Sequence, residues 1–374
     1  MSTEKRPLTA DEEFMTKALT EGKRGQPSPN PHVGAVLVKN GKVIGVGHHE
    51  RAGGEHAEVA ALRAAGAEAK GATAYITLEP CNHTGRTPPC TDALLRAGVS
   101  RVVIGCRDPN PHVEGGGVER LQSANIEIAV GVMEREAEDL IAPWRKHVTL
   151  GLPYVSLKLA LSLDGRIATR TGASKWVTGP DARAKVHALR AAHDGVAIGI
   201  GTLLADNPRL TVRDAPGTDP LRIVFDTKLR TPVSSALIQD ARERPVMIIC
   251  GEDSPEDAES DLLNMGAHVL RAPNSAEGRV DVAAALRLLA ARGIVTLMVE
   301  GGAELAGSFL AAELADDLHA FLAPILLGPR GRPGAVDWAG PDTPQHAPRI
   351  HNPSWELCGN DAYVHGAIQY PGHG

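Results

Sequence analysis

His56-Ala57-Glu58 and, further along, Pro80-Cys81 and Cys90 bring together one imidazole, one carboxylate and two thiols. Those are the groups of a hydrolytic zinc site. Zinc held by two thiolates and a neutral imidazole keeps one tetrahedral position open for water, and a nearby carboxylate that is not a ligand can move that water's protons. Two thiolates also cancel the charge of the ion, leaving a centre at which water still ionises near neutrality. A lone histidine or cysteine is ordinarily a satisfied core residue, so the inference rests on the combination. His83, between the two cysteines, is available as a fourth ligand that would make the site a closed, structural one. Glu58 speaks against closure, because a carboxylate two residues from a ligand has no role there.

The order H-x-E followed by P-C is that of zinc enzymes that deaminate ring-borne amines. In such chemistry Glu58 takes a proton from water, the ring carbon bearing the amine is attacked, and Glu58 passes the proton to the ring and to departing ammonia. The usual continuation is P-C-x-x-C, whereas here eight residues, Asn82 to Pro89, separate Cys81 from Cys90. Asn30, in Pro29-Asn30-Pro31, has an amide able to orient a ring. His49, seven residues before His56, is a second pocket candidate.

These groups need rigid supports. Glu55 to Ala65 reads as an alanine-rich helix with His56 and Glu58 in its first turn, where partial positive charge favours thiolate and hydroxide. Ala74 to Thr77 reads as a short strand feeding Leu78-Glu79-Pro80-Cys81, and a helix over Thr91 to Ala97 starts just after Cys90. Around them, a helix spans Asp11 to Glu21 behind an N-cap signal at Thr9-Ala10-Asp11. A hairpin of Val33 to Val38 and Val43 to Val46 turns at Asn40-Gly41. Arg101 to Gly105, Gly117 to Ser123, Glu127 to Val130 and Glu134 to Leu140 continue the strand and helix alternation.

Gly151-Leu152-Pro153 changes the punctuation, and the boundary falls near 148 to 153, giving domains 1–148 and 149–374. Strands are expected at Tyr154 to Leu161, Gly195 to Ile200, Arg222 to Phe225, Val246 to Cys250, His268 to Arg271 and Val295 to Val299. Helices lie between them, notably Asp181 to Ala192 and Val282 to Ala291. This predicts a largely parallel sheet flanked by helices. No complete G-x-G-x-x-G occurs, since Gly199-Ile200-Gly201 continues Thr202-Leu203-Leu204. Glu300-Gly301-Gly302-Ala303-Glu304-Leu305 is the better phosphate candidate. It follows an apolar strand and opens a helix to about Ala312, where two glycines let backbone N–H groups approach an anion. A ligand-free tight turn has the same pattern. Lys158 is unusual in an apolar strand, and Arg190 and Arg213 have the planar fork that holds a phosphate bidentately.

With 39 basic against 45 acidic residues the chain is mildly acidic and has no lysine-arginine block, which argues against nucleic-acid partners. Five cysteines in 374 residues make no disulfide framework and fit a reducing cytoplasm, with Cys106, Cys250 and Cys358 filling core space. The N-terminus lacks a signal peptide's apolar core, and no apolar run reaches the roughly 18 residues of a membrane span. A soluble, cytoplasmic protein is expected.

PCNHTGRTPPC (Pro80 to Cys90) and DPNPHVEGGG (Asp108 to Gly117) resemble the deaminase half of the bifunctional RibD-type deaminase/reductases of riboflavin biosynthesis. KLALSLDG (Lys158 to Gly165), SKWVT (Ser174 to Thr178) and GIGTLLADNP (Gly199 to Pro208) are similar to their reductase half. The resemblance covers nearly the whole chain. It implies an α/β protein with a cytidine-deaminase-like three-layer αβα domain followed by a dihydrofolate-reductase-like domain that uses NADPH. It places Zn2+ on His56, Cys81 and Cys90, the proton shuttle on Glu58, and substrate contacts on Asn30 and His49. In the reductase half it places the cofactor against Leu161, Trp176, Thr202, Asp206, Thr227 and the turn Gly302, Ala303, Glu304, Leu305, Ala306, Gly307 and Ser308. Ser174, Arg190, Leu210, Arg213 and Glu300 meet the sugar-phosphate substrate, Lys158 is a proton donor or hydroxyl anchor, and Lys228 and Arg230 are candidates for reading the 2′-phosphate. The implied substrates are phosphoribosyl-pyrimidines and the implied assembly a homo-oligomer. One departure from the family pattern stands out: Glu114 where a small residue is common and Gly116 where a basic one is common.

Overall fold

The computed structural model describes residues 6–84, 88–111, 116–328 and 334–372. Thr9 starts the first helix with a capping box: its side chain accepts from the Glu12 amide, and the Glu12 carboxylate accepts from the Thr9 amide at 2.8 Å. That helix, α1 (Ala10–Gly22), is followed by the hairpin β1 (Gly34–Lys39) and β2 (Lys42–His48), which turns through Asn40 and Gly41, both at positive φ. Then come α2 (Ala57–Ala65), β3 (Thr73–Leu78), α3 (Cys90–Ala97), β4 (Arg101–Cys106), α4 (Gly117–Ser123), β5 (Glu127–Val130), α5 (Glu134–Leu140) and α6 (Ala142–Leu150).

The five strands form one sheet in the order β2-β1-β3-β4-β5, antiparallel through the hairpin and parallel from β3 onward. Alternation along β1 divides the core. Ala35 and Leu37 pack under α2, α3 and α4 with Ala61, Leu94 and Leu121, while Val36 and Val38 pack under α1 and α5 with Met15, Ala18 and Ala137. Both sheet faces are therefore covered, the three-layer αβα arrangement. The α2 backbone lies directly on β2: a Cβ on Gly47 would stand 2.4 Å from the Ala57 carbonyl oxygen. Only glycine permits that approach, and it fixes the end of α2 that carries His56 and Glu58.

The second series is β6 (Tyr154–Ser162), α7 (Pro180–Ala191), β7 (Gly195–Gly199), α8 (Ile200–Asp206), β8 (Leu221–Phe225), α9 (Ala236–Gln239), β9 (Val246–Gly251), α10 (Glu256–Asn264), β10 (His268–Ala272), α11 (Val282–Ala290), β11 (Thr296–Val299), α12 (Ala303–Ala311), β12 (Asp317–Ala323), β13 (Arg349–Cys358) and β14 (Asp361–Gln369). Its sheet has nine strands in the order β10-β9-β8-β7-β11-β6-β12-β14-β13. The first seven in that order are parallel, and β14 and β13 add antiparallel to β12. Leu286, Leu289 and Phe309 of α11 and α12 bury against one face, and Leu203, Leu237 and Leu262 of α8, α9 and α10 against the other. Each such side chain contributes about 1.5–3 kcal/mol. The chain divides into two compact units, Met1–Gly151 and Leu152–Gly374. No helix among the described residues is long and apolar enough to cross a membrane, and all five cysteines are free thiols.

Four features differ from the sequence reading. The strand β12 has no counterpart among the expected strands. The antiparallel β13/β14 hairpin went unread because β13 is an edge strand with Pro353 inside it and nearly every position exposed, which erases the apolar alternation. The helix α6 has no buried residue and hence no apolar stripe. His56 is the N-cap of α2, just ahead of its first turn, and α12 begins at Ala303 because Gly301 and Gly302 hold φ of 125° and 89°.

Candidate active sites

In the first unit the end of β3, the start of α2 and the start of α3 converge. The His56 Nδ1 lies 3.1 Å from Cys90 Sγ and 3.6 Å from Cys81 Sγ, and the Cys90 amide donates to Cys81 Sγ at 3.3 Å. The three donor atoms lie within 4.8 Å of one another. A tetrahedral zinc with its usual bond lengths sets neighbouring nitrogen and sulfur ligands about 3.6 Å apart. The donor chemistry fits as well. Hydrogen bonding from Cys90 and from His56 pulls the Cys81 thiol down to about 4, while the Cys81 sulfur and burial push Cys90 up. Two adjacent thiols hold on to a single proton between them, and a divalent cation stabilises both as thiolates.

Glu58, in the first turn of α2, is buried and stands outside this cluster. Burial, and then the Cys81 sulfur, raise its carboxyl above the ordinary glutamate range. A pocket of about 420 Å3 opens onto it, lined by Asn30, His49, His56, Glu58, Cys81, His83, Asp108 and Trp144 among others. His49 Nδ1 donates to the Glu55 carbonyl at 2.8 Å, so its Nε2 accepts from Asn30 Nδ2 at 2.9 Å, and burial keeps the ring neutral by lowering its pKa. Asn30, its amide nitrogen held by His49, lines the pocket. His83 lines the pocket without joining the donor cluster.

Two contributors here escaped the sequence reading. Glu79 is buried and accepts from the Val118 amide at 3.2 Å and the Asp108 amide at 3.4 Å, which ties the Pro80-Cys81 turn to the segment from Asp108. Asp108, raised by burial, forms part of the pocket wall and accepts from the Asn110 amide at 2.8 Å. Glu79 has a signal, a charged residue between an apolar strand and the Pro-Cys step. Of the departures noted above, Glu114 lies outside the described residues, and Gly116 caps α4 with φ of 81°.

In the second unit a cavity of about 1130 Å3 opens at the carboxyl ends of β7, β8 and β11, larger than the roughly 300–1,000 Å3 of a single-ligand pocket. Parallel sheets place ligands at this edge. Lys158, Ser174, Trp176, Arg190, Thr202, Asp206, Leu210, Arg213, Thr227, Glu300, Gly302, Ala303, Glu304, Leu305 and Ser308 all line it, as do Lys228 and Arg230. Leu161, Ala306 and Gly307 do not. Leu161 pairs in register with Leu322, and Gly307 turns its open side toward the Asp337 carbonyl. The positive φ of Gly302, costly for any side chain, bares the amides that open α12 toward the cavity.

Arg190, expected to meet the phosphate, is paired within the cavity wall. Its guanidinium is paired bidentately with Glu300, Nη2 to Oε2 at 2.8 Å and Nε to Oε1, and Nη1 donates to the Thr211 carbonyl at 2.9 Å. Both side chains are nearly buried, so the pair forms part of the cavity wall. Leu210 makes this possible: its left-handed φ of 54° turns the Thr211 carbonyl toward both Arg190 and His187. Arg213, like Arg183, lines the cavity and has no carboxylate partner among the described residues. The Lys158 ammonium makes no hydrogen bond among the described residues. Burial lowers its pKa, Glu300 opposes that shift and Arg190 adds to it. Burial pushes Glu300 up, but Arg190 and then Lys158 bring it below the ordinary range.

Ser174 Oγ bonds to Asp206 Oδ1 at 2.5 Å and Lys175 Nζ to the Asp206 carbonyl at 2.7 Å, which ties the segment carrying Trp176 to the end of α8. Arg183 and His187 also line the cavity, with the Arg183 guanidinium 4.7 Å above the Trp176 ring. The sequence signal for both is their spacing with Arg190 along one face of α7.

Fold and sites together define a zinc-dependent, cytidine-deaminase-like enzyme joined to a reductase. Residues 8–106 match the cytidine and deoxycytidylate deaminase zinc-binding region, and residues 153–364 match the RibD C-terminal domain. The chain is 41% identical to the riboflavin biosynthesis protein RibD of Escherichia coli (strain K12) over 95% of this chain and 98% of that one. It is 44% identical to the RibD of Aquifex aeolicus (strain VF5), over 85% of this chain and 88% of that one. A solved structure of Acinetobacter baumannii RibD superposes with a TM-score of 0.84 at 37% identity, covering 96% of this chain and 99% of that chain. A structure from Thermotoga maritima, described as a diaminohydroxyphosphoribosylaminopyrimidine deaminase/5-amino-6-(5-phosphoribosylamino)uracil reductase, gives a TM-score of 0.81 at 34% identity, with 96% and 99% covered. The chain belongs to the RibD family, the bifunctional deaminase/reductases of riboflavin biosynthesis.

Proposed function

We propose that the first unit deaminates 2,5-diamino-6-ribosylamino-4(3H)-pyrimidinone 5′-phosphate and that the second reduces the product's ribosyl group to ribityl with NADPH. The observation that carries the first half is Glu58, a buried carboxyl with a raised pKa, in the pocket with the metal donors yet outside their cluster. His56, Cys81 and Cys90 hold the metal. Zinc, when bound, supplies the Lewis acidity that makes water a nucleophile near neutral pH. Glu58 accepts a proton from the attacking water and passes it to the ring nitrogen, then carries the hydroxyl proton of the adduct to the departing amine, a role suited to a carboxyl titrating closer to neutrality. Asn30 accepts from a ring amine and His49 holds the Asn30 amide in place.

The second cavity has room for a dinucleotide beside a substrate, a glycine-opened helix start and the cations Lys228 and Arg230. These features fit NADPH, which when bound supplies the hydride. Opening of the ribosyl ring leaves a C1′=N bond for that hydride and an oxygen that must be protonated. Lys158 donates this proton, Arg213 binds the phosphate, and the Arg190–Glu300 pair shapes the wall between them. In this reading the partners are phosphoribosyl-pyrimidines and further copies of the chain in the cytoplasm, with no nucleic acid or membrane.

Glu58→Gln tests the first assignment: zinc content stays at the wild-type level while the deamination rate falls about 10²–10⁴-fold. Unchanged deamination with zinc retained refutes the shuttle. In the same preparation Arg213→Ala raises the KM for the phosphorylated substrate more than that for NADPH, and equal effects on both remove the phosphate role.

A further inference from the structure

The cavity of the second unit has a cationic corner that contains Arg279, a residue outside the machinery described above. Three connections between strands and helices meet there: the turn after β8 with Thr227, Lys228 and Arg230, the loop between β10 and α11 with Arg279, and the first turn of α12 with Glu304. Nothing in the local sequence around Arg279 marks it, because the other two segments come from distant parts of the chain.

Backbone bonds fix where Arg279 stands. Asn274 and Val280 form an antiparallel bridge, the Ser275 amide donates to the Arg279 carbonyl at 2.6 Å, and Gly278, at φ of 71°, lets the chain reverse between them. The Val280 amide then donates to Thr227 Oγ1 at 3.2 Å, which ties this reversal to the end of β8. On its other side the Arg279 guanidinium lies 3.5 Å from the Glu304 carboxylate. Arg279 is thus placed between the β8 turn and the helix start whose bared amides suit a diphosphate.

Its partner holds it loosely. Both side chains are more than half exposed, and the separation exceeds the roughly 2.7–2.9 Å of a charge-assisted hydrogen bond, so the pair contributes little and the fork can turn to an anion. Glu277, the other carboxylate of the loop, accepts from the Ser275 hydroxyl at 2.8 Å.

The carboxylate that would favour an unphosphorylated ribose is turned away. In parallel α/β sheets an acidic side chain beyond a neighbouring strand accepts from the ribose 2′-hydroxyl of NAD, whereas an arginine there accommodates the 2′-phosphate of NADP. Asp226 directly follows β8 but is fully buried: Oδ2 accepts from the Thr231 amide and hydroxyl at 2.7 and 2.8 Å, and Oδ1 faces the Arg230 guanidinium at 3.5 Å. The charged groups that line this corner are instead Lys228, Arg230 and Arg279, three cations against the one carboxylate of Glu304.

We propose that Arg279 binds the 2′-phosphate of the dinucleotide beside Lys228 and Arg230 and sets the preference for the phosphorylated cofactor. This rests on NADPH as the reductant of the second unit and names a residue that selects it. The planar fork of arginine meets two phosphate oxygens at once, and a 2′-hydroxyl offers it no charge in return.

Isothermal titration calorimetry of the full, zinc-loaded chain with NADP+ and with NAD+ tests this without turnover. Wild type is expected to bind NADP+ the more tightly. Arg279→Gln, at an exposed turn position, is expected to weaken NADP+ binding by about tenfold or more and NAD+ binding by less than about twofold, since a hydrogen bond between charged groups is lost only where the phosphate is present. Arg279→Lys keeps the charge without the fork and should fall between wild type and Arg279→Gln. Equal losses for the two dinucleotides place Arg279 on the diphosphate and overturn the proposal, as does an NADP+ affinity that does not move. Wild-type protein that binds both equally overturns the cofactor assignment itself, so the two failures are distinguishable.

Discussion

Glu300→Leu removes one member of the Arg190–Glu300 pair and leaves a guanidinium stranded in the cavity wall. The two side chains are only 11% and 6% exposed, and their charges are held by a bidentate contact with few other donors or acceptors in reach. Breaking a buried pair of this kind costs about 3–5 kcal/mol, most of it from the unpaired charge left behind. At about 2–4 °C per kcal/mol for a unit of this size, its unfolding temperature falls by roughly 6–20 °C. Arg190→Met strands the carboxylate instead, with only Lys158 to offset it, and costs a similar amount. Arg190→Met/Glu300→Leu replaces both charges with apolar groups of comparable bulk, so it should recover most of the loss or exceed wild type. The cycle therefore yields a coupling of about 3 kcal/mol or more, against the few tenths expected of independent sites. Differential scanning calorimetry on the full chain reads all four proteins, with reductase assays on the same samples. The double variant should be folded yet impaired in reduction. Single variants within about 1 kcal/mol of wild type, or an additive double variant, would refute the reasoning that the pair is a closed structural unit.

Removal of zinc by a chelator should abolish deamination while leaving reduction intact, and added Zn2+ should restore it; parallel loss of both activities would contradict a metal confined to the first unit's chemistry. Lys158→Met is expected to lower the reduction rate by about 10²–10⁴-fold without changing deamination. The pH dependence tests the same lysine. Burial lowers the pKa of Lys158 and Glu300 works against that shift, so Glu300→Gln lowers it further. The acid form is the active one and is lost as pH rises through the folded-state pKa, which moves the alkaline limb of the reductase profile to lower pH. A limb that stays put or moves up removes Lys158 as the acid.

The sequence by itself named the candidate donors of the first site and the carboxylate beside them. His56, Glu58, Cys81 and Cys90 were legible because metal ligation and proton transfer demand particular side chains close to strand ends and helix starts, and those elements have periodic patterns. The eight residues between the cysteines marked the family, and the αβ alternation marked the sheet. Tertiary structure decided what depends on partners distant in the chain. Arg190 acquires its bidentate partner, Glu300, from more than a hundred residues away. Glu79 acquired its role from amides at Asp108 and Val118. A side chain's type is local information, but its pKa, its free donors and its role follow from desolvation and neighbours that only the folded chain brings within a few ångströms.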